Sequence, residues 1–123
     1  MRKSDKKIEN KLREQLTKVC DKALAEIEGF EWLTHDVNYA NFPDSLRVIC
    51  IFKCREDIEQ MIKSGLDLEL YSCVKAQLAA VQIDLKKVSA HTVFDSEEMC
   101  DLEHGGQWAE RIKQRHLGQR KLH

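Results

Sequence analysis

A chain of 123 residues with 42% hydrophobic and 33% charged side chains is long enough to bury one core, and its apolar content excludes disorder over most of its length. A formal net charge of −1 sets it apart from the strongly basic domains typical of nucleic-acid binding. Five cysteines, an odd number embedded in apolar periodic segments, suit reduced core thiols and argue against a secreted disulfide framework. The near-neutral total hides an asymmetry, however. Residues 1–13 carry six basic side chains (Arg2, Lys3, Lys6, Lys7, Lys11, Arg13) against Asp5 and Glu9, and residues 111–123 carry five (Arg111, Lys113, Arg115, Arg120, Lys121) against no acid. Residues 14–110 hold nine basic and nineteen acidic side chains. Such patterning speaks to partners and solubility, not to fold.

In chain order, Ile8, Leu12, Leu16, Val19, Cys20, Ala23, Leu24 and Ile27 recur at spacings of three and four, which predicts a first amphipathic helix. Ser4 or Asp5 is the expected cap and Gly29 the expected stop. Phe30 to Tyr39 reads as a strand with Leu33, His35, Val37 and Tyr39 on one face. Asn41-Phe42-Pro43-Asp44-Ser45 supplies turn residues, and Leu46 to Phe52 is a nearly continuous apolar run, expected of a strand covered on both faces.

From Arg55 to Val81 the helical pattern breaks once, at Lys63-Ser64-Gly65, with Asp67 as the expected cap of the second half. Val88 to Phe94 alternates as a third strand should. Asp95 and Glu98 have the spacing of a capping box, Gly105-Gly106 ends the short helix that follows, and Trp108, Ile112 and Leu117 mark a last helix ending near Gly118. The reading is a single α+β domain over 1–123, frayed at 1–4 and 118–123. Its expected order is helix-strand-strand-helix-helix-strand-helix, with a three-stranded sheet packed by helices. The long connection between the second and third strands permits a parallel crossover.

This element order, over roughly Ile8 to Phe94, resembles the type II KH arrangement of small RNA-binding and ribosome-associated proteins such as ribosome-binding factor A. The resemblance implies an RNA contact at the loop between the two central helices, where KH domains place a GxxG motif. Here that stretch reads Lys63-Ser64-Gly65-Leu66, with one glycine and one lysine. As a whole the chain also resembles a group of small bacterial proteins, through the phrases Gly29-Phe30-Glu31-Trp32-Leu33-Thr34-His35, Phe94-Asp95-Ser96-Glu97-Glu98 and His104-Gly105-Gly106-Gln107-Trp108. Members of that group are sometimes labelled Fis-type transcriptional regulators. Fis-type proteins are all-helical and end in a helix-turn-helix, a pattern that three predicted strands do not fit.

Catalytic and metal signatures are thin. Cys100 and His104 stand four apart on a predicted helix and can face one metal, but two ligands do not make a zinc site, and His35 or His91 can join only if their strands are neighbours. Cys54 lies where a strand hands over to a helix, a place where a thiolate is stabilised, while Cys50 points into the core. Asp95, Glu97, Glu98, Asp101 and Glu103 are acids at a helix start. No phosphate loop, dinucleotide fingerprint, GxSxG elbow or HExxH helix occurs. The expectation is a protein without catalytic residues or cofactor.

The first functional reading is therefore a cytoplasmic, non-membrane accessory protein that contacts RNA, the ribosome or DNA through its basic ends. Lys3, Lys6, Lys7, Lys11, Arg13, Lys63, Arg111, Lys113, Arg115, Arg120 and Lys121 are the candidate contacts. If the two termini meet, these cations form one patch. The competing reading is a protein-interaction module whose acidic face, Asp95 to Glu103 with Glu56, Asp57 and Glu59, docks a basic protein partner. A third is a small-ligand pocket between sheet and helices.

Overall fold

The computed structural model describes residues 2–121, with the backbone alone for 115–121. The first helix, α1 (Lys3–Glu26), buries Leu12, Leu16, Val19 and Ala23 on the stripe the spacing predicts. Lys3 and Ser4 are already helical, and Asp5 closes the first turn by accepting the Arg2 N–H at 3.4 Å. Gly29, at φ +84°, then turns the chain into β1 (Phe30–Asp36).

β1 is shorter than the alternation suggests, because Tyr39–Asn41 coils into a 3-10 turn in which the Asn38 side chain accepts from the Ala40 N–H at 3.0 Å. β2 (Arg47–Phe52) pairs with β1 antiparallel, and the register shifts between Phe30 and Trp32. The bulge has a consequence for packing. Two residues apart on a regular strand share a face, but here Phe30 enters the main core edge-on to Phe52, with ring centroids 5.5 Å apart, while Trp32 meets Trp108 at 5.2 Å.

Every residue from Val48 to Phe52 is buried, as a doubly covered strand requires. Val48, Cys50 and Phe52 face the main core with α1, whereas Ile49 and Ile51 alternate to the other face.

α2 (Arg55–Lys63) and α3 (Leu66–Ala79) form the crossover to β3 (Thr92–Ser96), which pairs with β2 in parallel. The predicted Asp67 cap lies inside α3, which starts one residue after Gly65 at φ +79°. The predicted strand at Val88 also starts late. Val88–His91 forms one helical turn, α4, because Thr92 Oγ1 donates back to the Val88 carbonyl at 2.9 Å and His91 Nδ1 donates to the Leu46 carbonyl at 2.7 Å.

α5 (Glu97–His104) is capped by Ser96, whose Oγ accepts the Met99 N–H at 3.1 Å, so the predicted Asp95 cap is displaced by one residue. Asp95 belongs to β3 and is buried. Gly105, at φ +57°, ends α5, and α6 (Trp108–Lys121) closes the described chain. The result is an α+β domain, not an all-helical one, with strand order β1-β2-β3. Among the described residues no helix is long and apolar enough to cross a membrane.

Candidate functional site

At 100° per residue, Lys3, Lys6, Lys7 and Lys11 fall on the face of α1 turned away from Leu12, Leu16, Val19 and Ala23. All four lysines are exposed, and none has an ion-pair partner among the described residues. Arg13 is also exposed, at 72%, but its Nε is tied to Glu9 at 2.9 Å.

The other side of the same turn fixes the helix to the sheet. Glu9 accepts from His35 Nε2 at 2.9 Å and from the Tyr39 hydroxyl, in addition to Arg13. Burial alone would raise its carboxyl, yet the His35, Tyr39 and Arg13 hydrogen bonds and the charge of His35 hold it below its ordinary value. Tyr39 is pushed up, by burial first and then by the Glu9 carboxylate. A carboxylate held by His35 of β1 and Tyr39 of the 3-10 turn anchors the basic turns, which limits the motion that a phosphate contact would otherwise have to freeze.

The remaining predicted cations are dispersed. The α2–α3 connection bearing Lys63 lies at the opposite end of α1, where Leu66 and Glu69 share a groove with Lys22 and Glu26, about 30 Å from Lys3 at 1.5 Å per residue. Arg111 is not a surface residue. Its guanidinium, 7% exposed, grips Asp95 through Nε at 2.7 Å and Nη2 at 2.9 Å, and reaches Glu103 through Nη1 at 2.9 Å. These bonds, that to Asp95 foremost, raise its pKa further. Arg111 therefore does not belong to a surface basic patch: a buried cation already held by Asp95 and Glu103 offers little to phosphate.

Lys113 is exposed on α6, but the first turn of α6 packs through Trp108 and Arg111 on the sheet face that carries Ile51, the face opposite α1. The side chains of Arg115, Arg120 and Lys121 lie outside the described residues.

Of the predicted acidic face, Asp95 is buried and Glu97 and Asp57 are half-buried, while Glu56, Glu59, Glu98, Asp101 and Glu103 are exposed. Glu97 Oε1 accepts the Trp32 indole N–H at 2.6 Å and its Oε2 accepts that of Trp108 at 3.1 Å, so one carboxylate clamps β1 to α6. Glu98 accepts the Arg55 N–H at 3.1 Å at the start of α2. Asp57 accepts from Cys54 Sγ at 3.2 Å, and this bond raises the thiol, the opposite of the predicted activation. Trp32, Glu97 and Trp108, from three separate stretches of the chain, meet at this clamp, a convergence that no local spacing foretells.

The other thiols are raised chiefly by burial. Cys50 is pushed up to about 12, chiefly by burial, and Cys100, fully buried, is raised for the same reason. His104 Nδ1 lies 3.1 Å from Arg111 Nη1. β1 and β3 are separated by β2, so His35 and His91 are not neighbours. Among the described residues no group of three His, Cys, Asp or Glu is placed to hold a metal. Comparison with protein-family models, curated proteins and solved structures returns no match.

Proposed function

We propose that the protein is an accessory protein that acts by binding, and that it docks nucleic acid, RNA in the first instance, through the lysine face of α1. The observation that carries this reading is the placement of Lys3, Lys6, Lys7 and Lys11 on the outward face of a helix pinned to the sheet by Glu9, His35 and Tyr39. Four unpaired ammonium groups on a fixed helix neutralise successive phosphates without reading base edges, so recognition is electrostatic. The order helix-strand-strand-helix-helix-strand, which resembles the type II KH arrangement, supports the reading. The contact surface is α1, not the loop at Lys63. The alternative is a protein-interaction module that docks a basic partner on the exposed acids Glu56, Glu59, Glu98, Asp101 and Glu103, with Asp57, Asp95 and Glu97 taken up by bonds within the fold.

Capture of the tagged protein from its own cell lysate, with and without nuclease, tests the reading. Nucleic acid retained by the natural chain, released by nuclease and lost in a variant with all four lysines changed to Glu is the expected result. Equal retention by the variant, or a protein partner that persists after nuclease, would refute it.

A further inference from the structure

β2 and β3 are parallel neighbours, and beyond their carboxyl ends the chain divides between the two sides of the sheet. From β2 it passes into α2 and α3, whose Ile58, Met61, Leu70 and Val74 join the main core with α1. From β3 it passes into α5 and α6, whose Arg111 lies on Asp95, the β3 residue level with Ile51 on the opposite face. Adjacent parallel strands whose continuations leave to opposite sides open a crevice past their ends, and open α/β sheets bind small ligands in crevices of that origin. Here the crevice is a pocket of about 360 Å³ between α2, the end of β3, α5 and α6. That volume is near the lower end of the range that holds a small ligand, about 300–1,000 Å³.

Ile58, Phe94 and Met99 supply half-buried apolar walls. Two guanidinium–carboxylate pairs balance in charge: Arg55 with Glu59 at the exposed rim, 3.6 Å apart, and Arg111 with Asp95 on the buried side at 2.7 Å. Ser96, fully buried, completes the lining. Its Oγ accepts the Met99 N–H, and its own hydroxyl hydrogen has no acceptor among the described residues. The Arg111 guanidinium is likewise one bond short. Its Nε and Nη1 are spent on Asp95, Glu103, His104 and the Met99 carbonyl, whereas Nη2 uses one of its two hydrogens, on Asp95 Oδ1. Buried donors are ordinarily matched, so two unspent hydrogens bordering one pocket call for an acceptor inside it. The adjoining helix starts do not call for an anion, because the Arg55 N–H is taken by the Glu98 carboxylate and the Glu98 N–H by the Lys53 carbonyl at 3.2 Å.

We propose that this pocket binds a small uncharged carbonyl compound, an amide or a lactam with an apolar body. The carbonyl oxygen accepts from Ser96 Oγ and Arg111 Nη2, and the apolar body lies among Ile58, Phe94 and Met99. An amide suits the lining because it brings an acceptor for these donors and an N–H for a carboxylate, here that of Glu59 at the rim. Charge selects against the alternatives: two cations against two acids favour neither a carboxylate nor an ammonium ligand, and Asp95 stands beside the donors where an anion would have to sit. The ligand differs in kind from the phosphate backbone proposed for the outer face of α1, and the two sites are independent.

The test titrates benzamide, benzoate and toluene, which share a ring and carry a neutral carbonyl, a charge or neither, into isotopically labelled protein. The expected result for benzamide is saturable shifts of the Ser96 and Met99 amides and of the Met99 methyl, with benzoate and toluene about fivefold weaker or worse. Benzamide affinity should not change with potassium chloride, nor when Lys3, Lys6, Lys7 and Lys11 are changed to Glu, so this site and the lysine face fail or stand separately. Ser96→Ala removes the hydroxyl donor and is expected to weaken benzamide about fivefold. It also removes the cap of α5, so Ile58→Phe, which narrows the pocket from α2, is the second variant, with a loss of about the same size expected. Circular dichroism checks the fold of each, and if Ser96→Ala does not fold, Ile58→Phe decides. The proposal is overturned if benzamide shifts none of these signals, if benzoate or toluene binds as tightly, or if either variant, folded, binds benzamide undiminished.

Discussion

Arg111 shows how far a single side chain can be misread from its neighbours in sequence. It opens a run of five cations, and by composition it belongs to a basic tail. In the fold it is buried, paired with buried Asp95 and with Glu103 at the surface. Removing one partner of a buried pair leaves a desolvated charge, so Arg111→Met should cost about 3–5 kcal/mol in urea unfolding, while Lys113→Met, two residues on and exposed, should stay within about 0.5 kcal/mol. Gly29 is decided by geometry alone. It holds φ +84°, and an added Cβ would stand 2.2 Å from Asp57 Cγ, so Gly29→Ala should lower stability by about 2 kcal/mol or more in the same assay. Glu9 carries the pH dependence. Its folded carboxyl titrates below the ordinary 4.5, so its contribution is present above that value and is lost as the pH falls through the lower folded value. Acid unfolding followed by circular dichroism should show this limb, and Glu9→Gln should flatten it.

At the scale of elements, the end of α3 offers a test of local strain. The Ile83 N–H reaches back to the Leu78 carbonyl at 2.9 Å and the Gln82 N–H to Ala79 at 3.0 Å, with Gln82 at φ 63°. This is a Schellman ending with glutamine where glycine is the usual residue, closed by the buried pair Leu78 and Ile83. Gln82→Gly should therefore raise stability by about 0.5–1 kcal/mol in chemical denaturation, the relief of a left-handed residue partly offset by unfolded-chain entropy. The helices α1, α2 and α3 and the strand β2 were legible because apolar periodicity is a local signal that burial merely confirms. The ends of β1 and β3 were not. Tyr39 and Val88 to His91 alternate as strand residues do, but bonds from Asn38 and Thr92 and from His91 to Leu46 curl them into turns. The bulge that sends Trp32 to the far face leaves no mark in the alternation at all.

For the whole molecule, the sequence showed which residues are charged and left open which of them share a surface. Two basic ends looked like one patch. In the fold, α1 and the first turn of α6 lie on opposite faces of the sheet, Lys63 is remote, and Arg111 is internal. What survives is the α1 face, where lysine spacing and helix period coincide. Two of the acids that made the middle of the chain look like a docking surface, Asp95 and Glu97, tie α6 to the sheet, and Glu98 ties α5 to α2, while Glu56, Glu59, Asp101 and Glu103 stay exposed. The most direct measurement is fluorescence anisotropy of a labelled single-stranded RNA over a series of potassium chloride concentrations. Four lysine contacts predict that log K falls against log salt with a slope of roughly −3, and that changing Lys3, Lys6, Lys7 and Lys11 to Glu abolishes binding while the fold is retained. A slope near zero, or affinity unaltered in that variant, would contradict the account.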